Sequence, residues 1–268
     1  PPLPLDDPQA EDVEAETAGS WVELTEDETR ALLTEVPAAY GTRVNDALLA
    51  ALARAHAAWS GESSLVVELE GHGREDLFEG VDLSRTVGWL TSQYPVALDA
   101  APGAGPGEVL RAAKERLRAI PRNGIGYGVL RYLGGDSAAA LAEREESGIG
   151  FNYLGQQDGG SGDGDADAAL LRPARESMGA IRSPRARLPL RLSVEAMVSG
   201  GRLRAGIFHG ASISDASAER LAEAYGRALR ELIEHCRAPE AGGFTPSDFP
   251  EAGLDQAALD ALMAQFGN

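Results

Sequence analysis

The stretch EGHGRE, residues 70–75, gathers Glu70, His72, Arg74 and Glu75 around two glycines. It follows SSLVVELE, which alternates: Leu65, Val67 and Leu69 lie on one face, and Val66, Glu68 and Glu70 on the other, the pattern of a strand. A carboxylate that ends a strand just before a glycine turn is held by a rigid scaffold and can reach a bound molecule. Crowded by apolar strands, Glu70 could act as a general acid or base. The same residues also fit a plain loop brace in which Glu70 pairs with Arg74.

Other suggestive segments lead nowhere. Asp163, Asp165 and Asp167 in GGSGDGDADAA have the spacing that opens a calcium loop, but Ala174 stands where the bidentate glutamate is needed. That stretch reads as an acidic loop. GIGYG (124–128) lacks the Lys-Ser/Thr of a phosphate loop and suggests a tight turn or a backbone approached closely by a ligand. No HExxH, CxxC or GxSxG occurs, so the sequence offers neither a metal set nor a serine nucleophile.

Composition narrows the function classes. Of 268 residues, 24 are basic and 42 acidic, a net charge of −18 that repels phosphate backbones, so nucleic acid is not an expected partner. No apolar run of about 18 residues occurs and no membrane span is expected. The single cysteine, Cys236, rules out an internal disulfide and suits a reducing cytoplasm. The opening Pro-Pro-Leu-Pro carries no signal-peptide pattern and reads as a piece of something longer.

The elements that must position Glu70 are legible from periodicity. Residues 1–20, rich in proline and acid, read as an acidic linker. Thr25-Glu26-Asp27-Glu28 has capping-box spacing and predicts a helix to about Val36. Leu48, Leu49, Leu52 and His56 predict a helix over 44–59, with His56 as a packed structural histidine and Asn45 and Asp46 at its capped start. Residues 107–120 predict an amphipathic helix, and 148–156 a strand. Alternation over 188–198 followed by SGGR predicts a hairpin, with Leu188, Leu190 and Leu192 on one face. A long helix around Leu221–Leu232 precedes a tail, 241–268, that reads as an interdomain linker. The expected fold class is α/β: a mixed sheet flanked by helices.

Five blocks in order, NDALLAALARA (45–55), EGHGRE (70–75), RTVGWLTSQYPV (85–96), PRNGIGYGVLRYL (121–133) and FNYLGQ (151–156), resemble the C-terminal half of the epimerization domains of non-ribosomal peptide synthetases. The resemblance spans roughly residues 20–262, so that 21–240 would be the C-terminal lobe. It implies one lobe of the chloramphenicol-acetyltransferase-like fold. It implies inversion of the α-carbon of an aminoacyl or peptidyl thioester, with Glu70 as the catalytic glutamate and Tyr153 as the functional tyrosine. His72, Arg74, Trp89, Ser92, Tyr94 and Asn152 would line or support the substrate tunnel. His72 is expected to bond backbone, and Arg74 to pair with Glu75, Asp76 or Glu70. Tyr153 could instead be a strand tyrosine with a capped hydroxyl.

The implied partners are the N-terminal lobe of the same domain, a peptidyl carrier protein and neighbouring synthetase domains. This chain would bind no cofactor itself, the phosphopantetheine arm arriving on the carrier protein. Two departures stand out. Leu90 replaces the phenylalanine usual in this family, and His56, His72, His209 and His235 form no HHxxxDG motif. The chain is therefore expected to need an N-terminal lobe for activity. A condensation-type, amide-forming lobe and a non-catalytic carrier-docking lobe are the other readings.

Overall fold

The computed structural model describes residues 3–142, 148–157, 176–177 and 179–266. Asp163, Asp165, Asp167 and Ala174 lie outside them. Six strands form a mixed sheet in the order β1-β6-β5-β4-β2-β3. They are β1 (Ala18–Glu23), β2 (Ser64–Gly71), β3 (Ser92–Asp99), β4 (Ile149–Gln156), β5 (Leu192–Ser199) and β6 (Arg202–His209). β2 pairs antiparallel with β3 and parallel with β4, and β4 runs parallel to β5.

One face of this sheet is covered by α1 (Glu26–Tyr40), α2 (Val44–Ser60), α3 (Pro106–Arg118) and α6 (Asp215–Arg237). The alternation anticipated in β2 is realised: Leu65, Val67 and Leu69 are buried in that core. Tyr225 of α6 is fully buried and donates to the Leu48 carbonyl of α2 at 3.3 Å, which ties the two long helices together. The opposite face is left largely to α4 (Gly126–Leu133), which lies over β3, and α5 (Asp136–Ala142).

Thr25 caps α1 as its spacing predicts, its hydroxyl accepting from the Glu28 amide while Glu28 accepts from the Thr25 amide. The helix continues past the expected end at Val36, through Pro37. Tyr40 is buried and bonds His235 of α6 at 2.8 Å, an anchor that offsets the backbone bond Pro37 cannot make. The hairpin begins at Leu192 rather than 188. Leu190 does not share the Leu192 face but lies over Gly150 on the other side of the sheet.

The two stretches read as linkers are fastened down. β1 starts at Ala18, inside the first of them. Upstream, Asp6 accepts from the Ser214 amide and hydroxyl at 2.8 and 2.9 Å, and Asp12 does the same for Ser212 at 2.8 Å each. In the tail, Asp248 accepts from the buried Lys114 ammonium. α7 (Gln256–Phe266) follows.

His56 is 3% exposed, as expected of a structural histidine, and burial lowers its pKa from the usual 6.5. The unfolded chain therefore takes up the proton more readily. Stability should be full above about pH 6.5 and decline as the pH falls below it. Urea unfolding at pH 7.5 and pH 5 should show this, and His56→Asn should shrink the His-dependent part of the slope.

Candidate functional site

At the C-terminal ends of β2 and β4 the sheet opens into a recess of about 310 Å³. Glu70, His72, Tyr94, Asn152 and Tyr153 all line it. Glu70 is exposed, on the face opposite the covering helices, and is not crowded by apolar strands as expected. Its cross-strand neighbours hold it. Gln93, opposite it on β3, donates to Oε1 at 3.0 Å, and Asn152 on β4 donates to Oε2 at 3.3 Å. One amide on each oxygen fixes the plane of the carboxylate and leaves a lone pair on each for an incoming group.

Glu70 does not pair with Arg74. The Arg74 guanidinium turns away and donates from one nitrogen to the carbonyls of Thr86 and Gly88, both at 3.1 Å. This also corrects the expected pairing of Arg74 with Glu75 or Asp76. Arg74 braces the loop 84–91 against the glycine turn, and Glu70 is left open. The backbone bond expected of His72 is present: its Nδ1 accepts from the Arg74 amide at 2.9 Å, and Nε2 sits 3.7 Å from Glu75.

Gly73 makes this junction possible. Its φ is +66°, and a Cβ there would collide with the Leu90 carbonyl. Gly73→Ala therefore forces the loop off the turn. We expect a loss of at least tenfold in any activity that uses the recess, with a fall in melting temperature of only a few degrees because the loop lies outside the core. Activity and thermal unfolding measured on the same sample check both parts.

Tyr153 follows Asn152 in β4 and so projects to the helix-covered side of the sheet, half-buried against the core. It meets Glu70 at the recess, beyond Leu69 and Phe151, where the β2–β4 pairing stops. Burial raises its pKa above the usual phenol value of 10, so the hydroxyl stays protonated across the neutral range. Its hydroxyl takes no partner among the described residues, contrary to the capped alternative. Tyr94, half-buried, is likewise raised, by burial first and by the Glu75 charge second. Gly71 packs against the Ser92 hydroxyl, which places Ser92 as support for the turn. Trp89 is 93% exposed and lines neither this recess nor the groove beyond β3. Leu90 does not line this recess either but belongs to a groove on the other side of β3.

Several contributors were not apparent from the sequence. Gln93 stands 23 residues from Glu70, and only the β2–β3 register brings it opposite. Asn123, at φ +49°, donates to Glu75 at 2.9 Å and ties the turn after α3 to the turn after β2. Asp46 caps α2 through the Arg43 amide, as its position suggested, and also holds Arg118 by two bonds at 3.2 and 2.7 Å on the recess wall. Among the described residues no group of three or more His, Cys, Asp or Glu could hold a metal ion. No helix of the described residues is long and apolar enough to cross a membrane.

A carboxylate and a phenol at the strand ends of a mixed sheet suit proton transfer. The model of the condensation domain matches residues 1–254. The chain belongs to the condensation-domain family. Among curated members, it is 47% identical over 264 residues to a linear gramicidin synthase of Brevibacillus parabrevis and 41% identical over 268 residues to chondramide synthase cmdD of Chondromyces crocatus. These alignments cover 97% and 100% of the chain but only 3% and 7% of the relatives.

Among solved structures, the epimerization domain from the third module of tyrocidine synthetase B superposes with a TM-score of 0.78 at 35% identity, covering 88% of this chain and 52% of that one. The X-domain from teicoplanin biosynthesis, at 20% identity and a TM-score of 0.59 over 88% of this chain and 51% of that one, shares the fold. The six-stranded mixed sheet with flanking helices is thus the condensation and epimerization fold, and the chain spans about half of such a domain.

Proposed function

We propose that the chain is the C-terminal lobe of a domain that inverts the α-carbon of an aminoacyl or peptidyl thioester carried on a peptidyl carrier protein, within a cytoplasmic non-ribosomal peptide synthetase. The observation that carries this reading is the Glu70 carboxylate, unpaired with any cation among the described residues, oriented by Gln93 and Asn152, and sharing a recess with the protonated Tyr153.

A thioester acidifies its α-hydrogen because sulfur donates weakly into the carbonyl. Glu70 takes that hydrogen as a proton, and the C–H electron pair moves into an enolate. Tyr153 donates a hydrogen bond to the developing oxyanion, a role that requires the phenol to keep its proton. Return of a proton to the opposite face of the carbon gives the inverted centre, and the second donor is assigned to the N-terminal lobe. The chain binds no cofactor in this scheme; the phosphopantetheine arm of the carrier protein brings the thioester.

The test mixes the chain with an N-terminal lobe of the family and an aminoacyl carrier protein in deuterated water, and follows deuterium at the α-carbon by mass spectrometry. Label entering with loss of optical purity is the expected result. Amide product from two loaded carriers without label would instead establish the condensation-type reading. Carrier binding with neither reaction would leave a docking lobe.

A further inference from the structure

On the same face as the Glu70 carboxylate, a second and larger hollow of about 780 Å³ runs down the sheet away from the recess. Its floor follows the β2–β3 register row by row. Glu70 faces Gln93, then Glu68 faces Pro95, then Val66 faces Ala97. All of these except Glu70 line the hollow. Its roof is α4, through Tyr127, Val129 and Tyr132, and its far wall is Leu190. Gly150 is what lets that wall close: a Cβ there would stand 2.5 Å from Leu190 Cδ1. Apart from Gln93, none of these residues is used by the proton-transfer step.

Gln93 joins the two spaces. Its side chain lines the groove, while its amide holds Glu70 Oε1 at 3.0 Å. An occupant of the groove therefore reaches within one side chain of the carboxylate that takes the α-hydrogen. From Gln93 to Ala97 the floor descends four residues, roughly 13 Å at about 3.3 Å each, the length of three to four extended residues. Its volume is that of a ligand site rather than a single side-chain pocket. The lining is mainly Val, Pro, Ala, Leu, Ile and Tyr, with Glu68 and Arg131 as its charged members, and suits a peptide whose side chains are mostly apolar.

The geometry points to this groove as the site for the upstream part of a peptidyl thioester, two or three apolar residues long, so that the substrate is a peptide rather than a single amino acid. This rests on the epimerase reading above. The thioester carbonyl and α-carbon occupy the smaller recess beside Glu70, and the peptide extends under α4 past Pro95 toward Ala97.

Ala97→Phe tests it. Ala97 is exposed on the floor, so the added ring enters the groove without disturbing the core. Two non-hydrolysable pantetheine thioethers serve as probes, one bearing an apolar tripeptidyl group and one a single apolar aminoacyl group, with binding to the chain read by NMR titration. The wild-type chain should bind the tripeptidyl probe at least tenfold more tightly, with the largest shifts at Tyr127, Val129 and Ala97. Ala97→Phe should abolish that preference and leave aminoacyl binding unchanged. In the domain completed by its N-terminal lobe, the variant should lose peptidyl but not aminoacyl α-hydrogen exchange. Equal affinity for the two probes in the wild type, or shifts confined to the Glu70 recess, would overturn the proposal. So would weakened association with the N-terminal lobe in place of lost peptide preference, because the groove would then be a lobe contact. Absence of exchange on either thioester, with the groove still selecting the tripeptidyl probe, would sink the epimerase reading and leave the groove as a peptide site.

Discussion

Glu70→Gln in the lobe-completed domain should cut α-hydrogen exchange by about 10²- to 10⁴-fold, the usual contribution of a positioned general base. That corresponds to roughly 3–5 kcal/mol of barrier. The substitution keeps the shape of the side chain; its oxygen still accepts from one partner, and the other can turn its own amide to accept from the new NH2, so folding and carrier binding should be unchanged. The loss should fall on kcat and leave KM near its original value, since Glu70 interacts with the hydrogen being removed rather than with the resting thioester. Single-turnover deuterium wash-in on both proteins measures it. Retention of wild-type exchange would mean that the carboxylate is only part of the scaffold, and the proposed chemistry would have to move to another group.

Asp248→Ala should destabilise the fold by about 3–5 kcal/mol, the cost of stranding a buried charge. The Lys114 ammonium, 1% exposed, sits 2.7 Å from both Asp248 oxygens and donates to the Tyr40 carbonyl at 2.8 Å. Without Asp248 one carbonyl must satisfy a buried cation alone. Asp248 also accepts from the Thr245 amide at 2.8 Å, so the turn that carries it loosens as well. Lys114→Met, which removes the charge and fills the space, should cost distinctly less. Urea unfolding of both variants at pH 7 gives the comparison. Equal and small losses would show that the tail is not held by this pair.

Local pattern in the sequence was enough for the helices and strands that repeat. Leu48, Leu49 and Leu52 mark the buried stripe of α2, and Leu65, Val67 and Leu69 mark that of β2, because periodicity of burial is written into adjacent residues. The EGHGRE and FNYLGQ blocks single out Glu70 and Tyr153 by resemblance, and the structure brings both to one recess. What escaped depends on residues far apart in the chain. Asp12 meets Ser212 across 200 positions, and Lys114 meets Asp248 across 134. Polar, proline-rich composition therefore read as linker where side chains in fact fasten the segment. Gln93 carries no motif of its own, and only strand pairing gives it a role. Trp89 shows the opposite limit: its block marks a large apolar side chain, and only the structure shows that within this lobe the indole is exposed.

The guanidinium latch from Arg74 to the Thr86 and Gly88 carbonyls has a thermodynamic corollary. Val87 and Trp89, 99% and 93% exposed, stand on the segment it clamps, so they are held out in water by polar bonds to their backbone instead of by burial. A hydrophobic prong fixed in advance forfeits little freedom when another surface closes over it, and the affinity of that closure keeps more of its desolvation gain.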